Sequence, residues 1–332
     1  MNRKIFVAGN MIVDNIYTVR GLPGSGELTT IQDNIRRSTG GAVCNVIRDL
    51  AVIDNSIPLC ALGRTGADSE GDYILETLRF HSNIDLSMIM REGKTSFTAV
   101  MEDEVSKERT FFHYRGANAK FCEDDIDWNK VNDGILHIGY ILLLDALDAE
   151  DSEYGTKMAR LLCSAKKKGI KTSIDVVSEA GKRFALLVPP ALKYADYCII
   201  NEVETGQVTG IALRDSNGRL LTDNIKPALS ALKKLGVSEW AVIHCPEGGY
   251  GIDSKGKYSQ SPSIRLPPES IKGKVGAGDA FCAGAIYAAS VGSDLEEGLE
   301  IGNAAAAASL MMPGAVEGMK NFEVLKKMRA LY

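Results

Sequence analysis

Val275-Gly276-Ala277-Gly278-Asp279-Ala280-Phe281 puts a carboxylate at the mouth of a helix entered through a turn containing two glycines. The helix that follows, from 280 to about 290, is apolar or small-residued on nearly every face: Ala280, Phe281, Cys282, Ala283, Gly284, Ala285, Ile286, Tyr287 and Ala288. A helix apolar all round is buried, so this one is expected to start in a cleft. Glycines let the chain turn tightly and let a ligand reach the free N–H groups of the first turn. Those amides and the positive end of the helix dipole suit an anion. An aspartate facing an anion makes chemical sense if it removes a proton from a hydroxyl while the amides hold the anion being transferred. On these residues alone, a glycine turn with an ordinary helix-capping Asp is an equal reading.

Around this stretch the chain alternates strand and helix. Short apolar runs at 5–8, 134–138, 172–176, 197–200 and 240–244 read as strands, and amphipathic patterns at 152–168 and 223–235 read as helices. That alternation predicts an α/β fold with a mostly parallel sheet covered on both faces. Ligands of such sheets bind beyond the carboxyl ends of the strands, where Asp14, Asp175, Asn201 and His244 all fall. Two segments break the pattern. Residues 12–37 alternate loosely around Gly21-Leu22-Pro23-Gly24-Ser25-Gly26. Residues 96–115 read as a hairpin, Phe97, Ala99 and Met101 leading through a charged turn that ends at Lys107 into Thr110-Phe111-Phe112-His113-Tyr114. Isolated hairpins are marginal, so the two are expected to pair into one small β lid spanning about 12–37 and 96–118. The expectation is a single domain over 1–332 with this lid inserted.

Composition narrows the partners. With 45% hydrophobic and 24% charged residues among 332, and a net charge of −5, the chain reads as an ordinary globular protein without the basic face a nucleic-acid binder needs. Its seven cysteines include no Cys-x-x-Cys pair and its four histidines are too dispersed for a zinc site. No run is long enough for a membrane span, and Gly9-Asn10 breaks the first apolar run with no cleavage pattern after it. A cytoplasmic setting with no membrane or nucleic-acid partner is expected.

The stretch ending in Asp279 resembles the C-terminal signature of the ribokinase-like (PfkB) family of small-molecule kinases, and further motifs of that family recur in order. Gly9-Asn10-Met11-Ile12-Val13-Asp14 is similar to its first substrate turn, and Gly40-Gly41-Ala42-Val43-Cys44-Asn45 to its Gly-Gly substrate loop. Gly63-Arg64-Thr65-Gly66-Ala67-Asp68-Ser69-Glu70-Gly71 looks like its G-x-x-G-x-D-x-x-G turn, and Arg115-Gly116-Ala117-Asn118 the end of its lid hairpin. Asn201-Glu202-Val203-Glu204 matches its N-x-x-E motif, and Asn303 ahead of the alanines 304–308 its nucleotide-side helix. The resemblance covers nearly the whole chain. It implies a three-layer α/β/α, Rossmann-like ribokinase fold and ATP-dependent phosphorylation of a primary hydroxyl on a small sugar or sugar acid.

The resemblance also implies roles. Asp279 would be the general base, with the amides of Ala277, Gly278 and Asp279 forming the anion hole and Gly276 completing the catalytic turn before them. Asp14, Gly40, Gly41, Asn45, Asn118 and Arg115 would meet the acceptor; an inward-pointing Arg115 would favour a sugar acid. Asn201 and Glu204 would hold Mg²⁺ through its waters, and His244, Glu247, Gly249 and Asn303 would line the ATP side. Two stretches depart from the family. Gly273-Lys274-Val275 stands where relatives carry an Asp that helps bind potassium, so that site does not carry over, and Lys274 offers a side-chain charge instead. Pro246, within His244-Cys245-Pro246-Glu247-Gly248-Gly249, removes a donor from the nucleotide-side loop.

A nucleoside or sugar-phosphate acceptor on the same fold is the alternative. A dinucleotide oxidoreductase would need Gly-x-Gly-x-x-Gly after the first strand, where the chain reads Asn10-Met11-Ile12. A non-catalytic binding protein would have no use for Asp279, Asn201 and Glu204 together. The apolar Phe97, Phe111 and Tyr114 of the lid offer a surface for pairing with a second copy.

Overall fold

The structure, a computed structural model, describes residues 3–106, 108–177 and 183–331, so Lys107 lies outside the described residues. The chain opens with β1 (Lys4–Gly9), then crosses to β2 (Ile12–Val19) and β3 (Ile31–Gly40). It returns through α1 (Gly41–Ile53), β4 (Leu59–Thr65), α2 (Ser69–Arg79) and β5 (Ile84–Arg91), and visits β6 (Ser96–Asp103) and β7 (Arg109–Tyr114). Next come β8 (Gly134–Ile141), the short α3 (Asp145–Asp148), the two-residue strands β9 (Glu150–Asp151) and β10 (Gly155–Thr156), α4 (Lys157–Lys167), β11 (Lys171–Val176) and α5 (Phe184–Leu192). The remainder is β12 (Tyr197–Asn201), α6 (Glu202–Thr209), α7 (Ile225–Leu235), β13 (Trp240–Cys245), β14 (Gly248–Ile252), β15 (Tyr258–Pro262), α8 (Ala277–Val291), α9 (Leu295–Leu310) and α10 (Phe322–Leu331).

Among the described residues nine strands form the main sheet in the order β15-β14-β13-β12-β11-β8-β1-β4-β5, all pointing the same way except β14, which pairs antiparallel with both β13 and β15 at one edge. Alternation along β1 shows why both faces are covered. Ile5 and Val7 enter one core with α1, α8 and α9, while Phe6 and Ala8 enter the other with α4, α5 and α7. The three-layer α/β/α architecture therefore agrees with the sequence reading.

The small sheet runs β3-β2-β6-β7, each hairpin antiparallel and the two joined by parallel pairing of β2 with β6. Its strands occupy the segments expected for the lid, with β3 continuing to Gly40. Two helix expectations need correction. Residues 150–156 form the β9–β10 ribbon, and Thr156 caps α4 by accepting from Ala159 N at 3.1 Å, so the helix expected from 152 begins at Lys157. The helix expected from 223 opens with a 3₁₀ turn at Thr222–Asn224. Strands β4 and β5 were not anticipated: β4 runs straight into the glycine-rich turn after Leu62.

Candidate active site

The start of α8 is shaped by Gly276, whose φ of 79° is left-handed. A Cβ there would lie 2.4 Å from the Ala315 carbonyl oxygen, so no side chain fits. The first intrahelical bond runs from Ala280 N to Gly276 O at 2.8 Å. The amides of Ala277, Gly278 and Asp279 are thus left without helical acceptors, and no other acceptor among the described residues meets them. They border a cavity of about 280 Å³ that Tyr140, Asp175, Asn201, Glu204, His244 and Lys274 also line.

Asp279 is 7% exposed and held by two donors. Asn45 Nδ2, one turn into α1, donates to its Oδ2 at 2.9 Å, and the Tyr140 hydroxyl donates to its Oδ1 at 2.5 Å. Burial pushes the Asp279 carboxyl above its ordinary range, while the bonds from Tyr140 and Asn45 favour the ionised form and pull it back. Asn45, expected as an acceptor contact, and Asp279, expected as the base, are thus bonded to each other. Tyr140 was missed: the strand expected at 134–138 ends two residues short of it, and its place at a parallel strand's carboxyl end was the one available signal.

Asp14 lies on β2 opposite Thr98 of β6. Burial raises its carboxyl to about 6, with the Thr98 side chain and the nearby Arg109 guanidinium opposing. Gly40 makes room for it, since a Cβ there would sit 2.4 Å from Asp14 Oδ2. Gly41, at φ +85°, lets α1 begin under Asn10, whose side-chain oxygen accepts from Ala42 N at 3.1 Å. Asn118, expected to meet the acceptor, is hydrogen-bonded within the protein. Its amide is spent at both ends on the Met11 backbone, accepting from N at 3.2 Å and donating to O at 2.9 Å. Arg115 is also committed elsewhere: Nη1 donates to Leu142 O at 2.8 Å and pairs with Asp145 at 3.3 Å.

On the other wall, Asn201 and Glu204 form a reciprocal capping box at the start of α6. Asn201 Oδ1 accepts from Glu204 N at 2.8 Å and Glu204 Oε2 accepts from Asn201 N at 3.0 Å. Burial raises the Asp175 carboxyl well above its usual range, and the charges of Glu204 and Asp279 add to that rise. Among the described residues no group of three His, Cys, Asp or Glu side chains is placed to bind a metal directly. The oxygen donors Asp175, Asn201 and Glu204 suit a cation that keeps its waters, as Mg²⁺ does. His244 stacks on Phe281, centroids 5.0 Å apart, and burial lowers its pKa to about 4, leaving it neutral at pH 7.

Three expected nucleotide contacts stand apart from this cavity. Glu247 is exposed and held by Arg214 at 2.6 and 2.7 Å. A Cβ on Gly249 would meet Phe281 at 2.8 Å, so this glycine serves packing. Asn303 Nδ2 donates to Ser261 O at 2.9 Å and Pro262 O at 3.3 Å, tying α9 to β15.

A doubly covered parallel sheet, a small second sheet and a buried acid among free helix amides define the ribokinase-like class of α/β proteins. The chain matches the model of the pfkB family of carbohydrate kinases over residues 2–321, and it belongs to that family. It is 25% identical over 316 residues to the bifunctional protein HldE of Wolinella succinogenes, covering 91% of this chain and 60% of that protein. It therefore spans about three fifths of that relative's length. An uncharacterized sugar kinase of Archaeoglobus fulgidus is 24% identical over 261 residues, 78% of this chain and 93% of that protein. Among solved structures, the ribokinase of Arabidopsis thaliana complexed with ribose and ATP superposes with a TM-score of 0.80 at 22% identity, covering 99% of each chain. At that identity the likeness establishes the fold. Among the described residues no helix is long and apolar enough to cross a membrane.

Proposed function

We propose that the protein transfers the γ-phosphoryl group of ATP to a primary hydroxyl of a small sugar, with Asp279 as general base. The observation that carries this is the shared geometry of one helical turn: a buried carboxylate with two donors beside three amides that no acceptor among the described residues meets, all at one cavity. The acceptor's O–H proton passes to Asp279 as its oxygen forms a bond to phosphorus. The bond to the bridging oxygen of the leaving diphosphate breaks, and ADP departs with that electron pair. The amides of residues 277–279 stabilise the charge on the moving group, the kind of contribution phosphoryl transfer draws on most. Mg²⁺, when bound, neutralises phosphate charge, and Asp175, Asn201 and Glu204 would hold it through its water shell.

Asp14 and Asn45 are the acceptor-side groups this reading retains, a carboxylate and an amide suited to paired hydroxyls. Arg115 gave the reason to expect a sugar acid, and its bonds to Leu142 and Asp145 support a neutral sugar instead. Gly273 leaves no space for the acid that relatives use toward potassium: a Cβ there would lie 2.8 Å from the carbonyl oxygens of both Met312 and Pro313. The reading therefore includes no potassium requirement. The exposed Ile35, Phe111, Phe112 and Tyr114 of the small sheet support pairing with a second copy through the lid. Seven free cysteines suit a cytoplasmic setting. The test is a thermal-shift and turnover screen of neutral sugars, sugar acids, sugar phosphates and nucleosides with ATP and Mg²⁺. Turnover confined to nucleosides or sugar phosphates would replace the acceptor proposed here, and no ATP consumption with any of them would remove the reading.

A further inference from the structure

The catalytic cavity carries an electrostatic imbalance. Asp175, Glu204 and Asp279 line it, His244 is neutral, and Lys274 is its one cationic side chain among the described residues. A triphosphate brought to such a wall adds negative charge to an acidic surface. Mg²⁺ at Asp175, Asn201 and Glu204 would offset part of that charge from one wall, and the helix amides add partial charges equivalent to about half a unit; a side-chain cation at the turn before α8 would add to both.

The backbone around Lys274 is held on both sides. Lys272 N donates to Leu310 O at 2.8 Å, Gly273 lies against the carbonyls of Met312 and Pro313, and Gly276 lies against Ala315. Neither glycine position has space for a side chain, so Lys274 and Val275 supply the side chains between them. Lys274 borders both the cavity of Asp279 and a second one, of about 690 Å³, lined by Glu102, Glu104 and Arg109 of the small sheet. No acceptor among the described residues pairs with its ammonium. A fixed backbone carries an uncommitted cation at the junction of the anion-binding turn and the lid.

We propose that Lys274 is a catalytic residue whose ammonium contacts the phosphoryl group in transfer, opposite the amides of residues 277–279. The inference rests on the kinase reading above. Lys274 stays protonated throughout: the acceptor's proton goes to Asp279, the new O–P bond forms, the old one breaks, and the ammonium donates hydrogen bonds to the oxygens of the moving group. Its contact is with the γ position, so it distinguishes nucleotides that carry that group from those that lack it.

The experiment measures binding of Mg²⁺-adenylyl imidodiphosphate and Mg²⁺-ADP by calorimetry to the full-length protein, wild type, Lys274→Met and Lys274→Arg, with circular dichroism to verify folding. Lys274→Met is expected to weaken the γ-bearing analogue by about tenfold or more, as loss of a charge-assisted hydrogen bond does, while ADP binding stays at the wild-type value. Lys274→Arg restores most of the difference. With an acceptor found, Lys274→Met lowers kcat by about a hundredfold and leaves the acceptor KM unchanged. Wild-type affinity of Lys274→Met for the analogue, or equal weakening of both nucleotides, overturns the role of Lys274 and leaves the kinase reading standing. Failure of the wild type to bind either nucleotide overturns both.

Discussion

Asp279 stands under two opposing influences, burial that favours its neutral form and two donors that favour its charge. In the proposed role of general base Asp279 must be ionised, and on that reading the Tyr140 hydroxyl tunes activity without being the base itself. Removing that donor in Tyr140→Phe raises the Asp279 carboxyl further, and less of it is ionised at any given acidic pH. The acid limb of the kcat/KM profile is expected to move to higher pH, with the alkaline side little changed; an unmoved limb would show that Tyr140 does not tune the base. At this scale motif spacing singled out Asp279 and Asn45, which the structure joins by a hydrogen bond, and Asp14, which lies inside β2 of the small sheet rather than at the strand end expected for it. It could not reveal how each polar group is used. Asn118 and Asn303 spend their amides on backbone groups 107 and 42 residues away in sequence. Glu247 finds Arg214, a partner no local pattern indicates. Tyr140, in a run of apolar residues, reads as core.

At the scale of the element, the turn into α8 is the critical piece. Gly276 combines a left-handed φ with a close approach to Ala315, so Gly276→Ala is strained on two counts. The left-handed conformation alone costs about 1–2 kcal/mol, and relief requires the turn to move with the amides that follow it. Denaturant unfolding should show a loss of at least about that size, together with loss of nucleotide binding; a variant as stable and as tight-binding as the wild type would mean that the turn tolerates a side chain. Helix and strand cores were readable from periodicity, since burial on one or both faces writes itself into the pattern. Starts were less so. The beginning of α4 is set by the cap at Thr156 and the β9–β10 ribbon, whose two-residue strands are too short to leave a period.

For the whole molecule, alternation of apolar strands and amphipathic helices was enough to indicate the covered parallel sheet, and marginal stability of lone hairpins to indicate that the two small ones join. The parallel β2–β6 pairing that joins them links residues more than eighty apart in sequence and has no local signature. That sheet leaves Ile35, Phe111 and Phe112 more than half exposed, at 63%, 62% and 57%. If two copies pair through it, the double variant Phe111→Asp, Phe112→Asp should sediment as a monomer where the wild type is a dimer. Equal sedimentation of the two would place any assembly elsewhere. The central claim concerns one acid at one helix start, and the most direct measurement is turnover of ATP by Asp279→Asn with an acceptor identified in the sugar screen. The account predicts a fall of about 10²–10⁴ in kcat, with folding and Mg²⁺-nucleotide binding retained; a variant that phosphorylates the acceptor at close to the wild-type rate would contradict it.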